Sequence, residues 1–177
     1  RKQTEGRKTM RTYVERAEDF IKELLEYKGE LTFKREYEVR RIVREYSEAH
    51  PRRHIYVSAG AARTAIITSD YVIKIDTGNI KMFGGRKEEV KFYKLAESEG
   101  MEYLLAKPTR FRFQKINFYI YPRATVCANM RKRKNWRAHL TDEEMVFVDQ
   151  IDDLHEGNVG FLHGKPCIID YAMNSLW

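Results

Sequence analysis

Three oxygen-bearing side chains near the C-terminus carry the sharpest chemical signal. Asp153-Leu154-His155-Glu156-Gly157-Asn158 sets a carboxylate five residues ahead of an amide, and Ile168-Ile169-Asp170 adds a second carboxylate twelve residues beyond that amide. Phosphoryl transfer asks for little covalent chemistry but for tight positioning and charge neutralisation. One carboxylate must stand beside the attacking hydroxyl. An amide oxygen and a second carboxylate must hold the cation that bridges the phosphates. Mg2+ is hard and octahedral and takes oxygen ligands of this kind. Asp153 fits the first role; Asn158 and Asp170 fit the second. Upstream, Lys74 interrupts the apolar run Val72-Ile73-Lys74-Ile75. An apolar strand tolerates an internal cation only when its charge is paired or exposed.

Elements able to position these groups follow from the periodicity. Residues 9–28 predict a helix with Val14, Ala17, Ile21, Leu24 and Leu25 on one face, stopped by Gly29. Residues 34–49 predict a second, with Tyr37, Ile42, Val43 and Tyr46 inward and Pro51 beyond its end. Both read first as a scaffold packed on the main domain, and second as a partner-binding arm. From His54 the texture changes. His54–Ala59, Ala65–Thr68 and Tyr71–Asp76 predict strands, and Lys87–Ser98 a helix closed by Gly100. Thr109–Gln114 and Asn117–Tyr121 predict a hairpin. Thr141-Asp142-Glu143-Glu144 is a capping box that should open a helix to about Gln150. Val159–Phe161 and Cys167–Ile169 predict a last hairpin over His163-Gly164-Lys165, a geometry able to fold Asp170 back beside Asn158.

At 177 residues, with 42% hydrophobic and 12% aromatic side chains, the chain has one domain's worth of length and enough apolar surface for a core. Its net charge of +7 favours anionic partners, whether nucleotide, nucleic acid or acidic protein surface, without choosing among them. No apolar run approaches the roughly 18 residues of a membrane span. The first eight residues lack the apolar stretch of a signal peptide. Cys127 and Cys167 make neither a disulfide framework nor a zinc motif, and no acidic or cysteine set joins His155 and His163. A reducing, cytoplasmic setting without membrane contact is the simplest expectation. The basic run from Met130 to Arg137 reads first as a solvated loop, and second as a contact for an acidic substrate or for nucleic acid phosphates through Arg131, Lys132, Arg133 and Lys134.

The Asp-Leu-His-x-Gly-Asn loop, the strand-end Asp after a short hairpin and the upstream strand Lys together resemble the protein-kinase-like superfamily. The resemblance spans about residues 54–173. Its wording is similar to aminoglycoside- and choline-type phosphotransferases and to the short protein kinases encoded by some phages. It implies a small two-lobed α+β fold: an antiparallel five-stranded N-lobe with one helix, and a reduced C-lobe. The division would be a helical extension over 1–53, N-lobe and hinge over 54–124, and C-lobe over 125–177. It implies ATP and Mg2+. Asp153 would orient or deprotonate the acceptor, and Asn158 and Asp170 would bind the metal. Lys74 would contact the phosphates, paired with Glu89 because that residue precedes Val90-x-Phe92-Tyr93, or failing that with Glu88. Backbone N–H groups of Gly60, Ala61 and Ala62 would approach the phosphates, although a plain hairpin turn explains Ser58–Thr64 as well. Arg63 would add a phosphate contact or face solvent. Tyr121 would back the adenine pocket, with the Pro122 carbonyl and Ala124 N–H on the base edge.

The chain also departs from that pattern. Ile151 and Asp152 stand where protein kinases carry His-Arg, so regulation through a phosphorylated activation loop is not expected. Tyr171-Ala172 replaces Phe-Gly, and Trp177 lies only seven residues past Asp170. The expectation is a minimal or truncated kinase, or one completed by a partner protein. Four functions follow. The first is a minimal Ser/Thr protein kinase using Mg-ATP. The second is a small-molecule kinase. The third is a non-catalytic kinase-shaped module binding a partner protein, and the fourth a nucleic-acid binder.

Overall fold

The computed structural model describes residues 2–60, 63–78, 85–125 and 135–174, with the backbone alone for 2–12. Among them are four α-helices: α1 (Lys2–Glu26), α2 (Glu36–Ala49), α3 (Arg86–Glu99) and α4 (Asp142–Val148). The strands are β1 (Tyr56–Ala59), β2 (Arg63–Ile67), β3 (Tyr71–Asp76), β4 (Thr109–Phe113), β5 (Ile116–Pro122), β6 (Val159–Leu162) and β7 (Lys165–Ile168). The chain is therefore α+β, with the five-stranded antiparallel sheet that was expected, in the order β1-β2-β3-β5-β4. No helix among the described residues is long and apolar enough to cross a membrane.

Packing divides the chain into two compact units. The first comprises Arg1–Met82 and Thr109–Arg123. Its core lies on one face of the sheet. Ile66, Tyr71, Ile73, Ile75, Phe118 and Ile120 pack with Ala17, Phe20, Ile21 and Leu24 of α1 and Val39, Ile42, Val43 and Tyr46 of α2. The two helices thus share one core with the sheet. Strand alternation turns Val72 and Lys74 to the opposite face, with their register partners Tyr121 and Tyr119. Thr68, expected inside β2, lies beyond it: its hydroxyl donates to the Tyr71 carbonyl at 2.8 Å and forms the turn into β3. Glu38 ties α2 to the preceding loop, accepting from the N–H groups of Lys34 at 2.9 Å and Arg35 at 3.2 Å and from the Thr32 hydroxyl at 3.0 Å.

The second unit comprises Phe83–Pro108 and Ala124–Trp177. Helix α3, expected with the sheet, puts Phe92, Tyr93 and Ala96 into this unit's core, beside Leu104, Trp136, Phe147, Ile151, Val159, Ile168 and Tyr171. Gly100 closes α3 in the left-handed region at φ 72°, as its position predicted. Thr141 accepts from the Glu144 N–H at 3.2 Å while Glu144 accepts from the Thr141 N–H at 2.6 Å, completing the box that starts α4. The helix stops at Val148, two residues before the expected Gln150, with Asp149 as its C-cap. Strands β6 and β7 pair antiparallel over a turn in which His163 and Gly164 adopt φ 51° and 79°.

Candidate functional site

The last hairpin brings two of the three oxygen-bearing side chains to one end. Val159 stands opposite Ile168, and the Ile169 N–H donates to the Asn158 carbonyl at 2.8 Å. Asn158 and Asp170 therefore leave the same end of one ladder. The loop ahead of it is closed by the Asn158 side chain, whose Nδ2 donates to the Asp153 carbonyl at 2.8 Å. With its NH2 so engaged, the amide presents Oδ1 as its remaining acceptor. Asp153 is exposed, while Asn158 and Asp170 are half-buried. An all-oxygen set of this kind fits Mg2+ rather than a softer metal.

The intervening residues hold the loop's shape. The His155 Nδ1 accepts from the Gly157 N–H at 3.0 Å, so the imidazole caps the 3-10 turn Glu156–Asn158. A Cβ on Gly157 would lie 2.6 Å from that ring, which is why a residue without one follows. Gly160 answers a second close approach: its Cβ would lie 2.7 Å from the Ala124 Cβ.

Asp170 is fixed from behind by Tyr171. The Tyr171 hydroxyl donates to the Ala106 carbonyl at 2.6 Å, and its N–H donates to Glu89 at 3.1 Å. Glu89 is completely buried. Glu88, the fallback, instead caps α3 by accepting from the Gly85 N–H at 3.0 Å. A residue the sequence reading passed over completes the cluster. Arg86, also completely buried, lies 2.6 Å from Glu89 and 3.5 Å from Asp170. Its signal was faint: a cation one position ahead of the expected helix start reads as solvated.

In the first unit, Lys74 is 9% exposed and its Nζ stands 4.5 Å over the Tyr121 ring, a cation–π contact inside the sheet. Gly60 follows β1, and its N–H donates to the Arg63 carbonyl at 2.8 Å. Among the described residues nothing lies within 4 Å of where its Cβ would stand, and its φ is not positive, so none of them requires glycine there. Ala61 and Ala62 lie outside the described residues, as do Cys127 and Arg131–Lys134. Pro122 ends β5 opposite Tyr71, and the chain passes from the first unit to the second between Arg123 and Ala124. Trp136 is buried in the second core, and Arg137 stacks on it at 5.2 Å while pairing with Asp149 at 2.7 Å.

Each unit also carries a cleft of its own. One of about 490 Å3 is lined by Arg16, Glu23, Arg53 and Asp70, and one of about 440 Å3 by Tyr103, Leu140, Glu144 and Phe161. Neither includes Lys74, Asp153, Asn158 or Asp170.

No family model and no curated protein sequence matches the chain. A solved structure with some similarity is that of choline kinase LicA from Streptococcus pneumoniae, with 12% sequence identity and a TM-score of 0.39 over 76% of this chain and 68% of that one. A score that low assigns neither fold nor activity.

Proposed function

We propose that the protein is a kinase-like phosphotransferase that moves the γ-phosphoryl group of ATP to a hydroxyl. The observation that carries this reading is the β6–β7 hairpin end, where Asn158 and Asp170 leave together and the Asn158 amide is tied to the Asp153 carbonyl. In this reading Asp153 accepts a hydrogen bond from the acceptor hydroxyl and takes its proton as the new oxygen–phosphorus bond forms and the bond from the γ-phosphorus to the bridging oxygen breaks, releasing ADP. Asn158 and Asp170 would hold Mg2+, which when bound would neutralise phosphate charge. Lys74 adds a cation for the phosphates, and Glu89 holds the backbone beside Asp170. The loop at Gly60 lies against the phosphates, and Pro122 and Ala124 offer backbone groups to the base.

The acceptor we favour is a Ser or Thr hydroxyl on a protein, because Asp153 is exposed and an exposed base suits a hydroxyl carried on another surface. A second reading, a small hydroxyl compound, is favoured by the Asp153-Leu154-His155 wording and its resemblance to choline- and aminoglycoside-type enzymes.

Melting the full chain with Mg-ATP tests the nucleotide site. At a hundredfold excess over Kd, binding adds about 2.7 kcal/mol, or a rise of roughly 5–11 °C for a chain of this size. A folded sample whose Tm stays put would overturn the proposal. Incubation with γ-labelled ATP and either a cell lysate or a panel of amino alcohols then separates the two acceptors by where the label appears.

A further inference from the structure

Arg86 stands where a cation is least expected. It is the first residue of α3, at the positive end of the helix dipole, where acidic side chains are favoured. Its side chain is nevertheless wholly withdrawn from water, and a buried guanidinium is tolerated only when carboxylates surround it. It has two such neighbours from different parts of the chain. Nη1 lies 2.6 Å from Glu89, one helical turn along, and Nη2 lies 3.5 Å from Asp170 after β7. Glu89 in turn accepts the N–H of Tyr171, the residue next to Asp170. The start of α3 and the Asp170–Tyr171 segment are therefore joined twice, once through a guanidinium and once through a backbone donor.

We propose that Arg86 is the positioning residue of the cation site: its buried guanidinium, ion-paired to Glu89 and close to Asp170, aims the carboxylate that takes the divalent ion. This rests on the reading of Asp170 as a metal ligand. Arginine is required because two separate nitrogens must reach two carboxylates, which the single ammonium of lysine does not do in one geometry. Groups that orient a metal ligand from behind set its affinity, and their loss typically weakens metal binding about 10–100-fold.

The test uses the full chain, Mn2+ followed by electron paramagnetic resonance, and the non-hydrolysable analogue AMP-PNP. The wild-type chain should take up Mn2+ with AMP-PNP, and Asp170→Asn should not. Arg86→Lys should melt cooperatively and keep the wild-type affinity for AMP-PNP in EDTA, yet bind Mn2+ about 10–100-fold more weakly. An Arg86→Lys protein with unchanged or tighter Mn2+ binding, beside an Asp170→Asn protein that has lost it, overturns the positioning role and leaves the phosphotransferase reading intact. A wild-type chain that takes up no Mn2+ overturns both. Should Arg86→Lys fail to fold, Arg86→Met combined with Glu89→Gln removes the cation and one carboxylate together while keeping an acceptor for Tyr171. The same weakening supports the proposal in that background, and wild-type Mn2+ affinity overturns it.

Discussion

Tyr46 and Glu89 are equally inaccessible to water, one in each unit, and their neighbours differ in kind. Tyr46 sits among rings: Phe20 meets it edge-on at 5.2 Å, Tyr27 at 5.5 Å, and His50 stacks on it at 4.2 Å. Its hydroxyl donates to Glu23 at 2.7 Å and accepts from the Arg53 guanidinium, which also stands 5.6 Å over the ring, so charges meet this cluster only where it reaches the surface. Glu89 sits between a guanidinium and a backbone N–H. A buried charge held by other charges is weak evidence for stability, since an apolar replacement of the whole set often folds as well or better. The aromatic cluster is what a sheet needs to hold two helices on its face. The charged cluster is what a site needs to fix a carboxylate before a cation arrives. The first unit therefore reads as scaffold over most of its helix-covered face, and in the proposed function the buried charges of the second serve the site.

That contrast breaks most clearly at Asp153. It is exposed and its side chain supports no packing, so Asp153→Ala should melt within about 0.5 kcal/mol of wild type, the range of ordinary surface changes. Label transfer from ATP should fall by about 10²–10⁴-fold, the usual contribution of a positioned base. Unchanged transfer would remove Asp153 from the mechanism.

The opposite pattern is expected in the sheet. Phe118 is completely buried, edge-on to Phe33 at 5.9 Å, on the helix-covered face. Phe118→Ala should cost about 3–5 kcal/mol in chemical denaturation, through lost burial and the cavity left behind. Transfer per folded molecule should stay near wild type. A large fall in that quantity would mean that the scaffold transmits more to the site than its packing suggests.

Gly60 sharpens the comparison, because it lies in the scaffold unit yet is assigned to the nucleotide. A Cβ there meets no atom of the described residues within 4 Å, so Gly60→Ala should leave Tm almost unchanged. If the loop's backbone approaches a phosphate, the added methyl should weaken ATP by about tenfold, or 1.4 kcal/mol, read as a smaller nucleotide-induced rise in Tm. Equal rises in the two proteins would make the segment a plain hairpin turn.

How much of this was legible beforehand depended on the range over which each signal acts. The β6–β7 hairpin, the Thr141 box and the α3 stop at Gly100 are local: a few neighbouring residues decide them, and they were read from spacing alone. The α+β character and the antiparallel sheet followed from runs such as Tyr71–Asp76 and Asn117–Tyr121. Boundaries slipped where a side chain competes with the backbone, as at Thr68, whose hydroxyl makes the turn that a strand would otherwise continue through. That α1 and α2 pack on the main domain was legible in their apolar stripes, but which unit α3 joins depends on contacts distant in sequence, which periodicity does not encode. Arg86 was missed for the same reason. Its partner Glu89 is one turn away, but Asp170 lies beyond β7, and only that second carboxylate distinguishes it from a solvated helix-start cation.

The smallest effect is expected from Glu38, the scaffold's own buried carboxylate. Burial alone would raise its pKa, but hydrogen bonds from Thr32, Arg35 and Lys34 outweigh that and hold it below the usual value. A carboxyl whose folded pKa is depressed contributes stability that is present above its unfolded pKa, near 4.3, and is lost as pH falls through the folded value. Its job is to satisfy free N–H groups at the start of α2, a capping role typically worth about 1 kcal/mol. Glu38→Gln should therefore melt below wild type at pH 7, and the two melting curves should converge as pH drops below about 4. The Arg86 cluster, by contrast, answers to divalent ion and nucleotide. Two Glu38 curves that stayed parallel down to acid pH would mean that the charge of this carboxylate is immaterial, and that the first unit's buried acid differs from the second's only in where it lies.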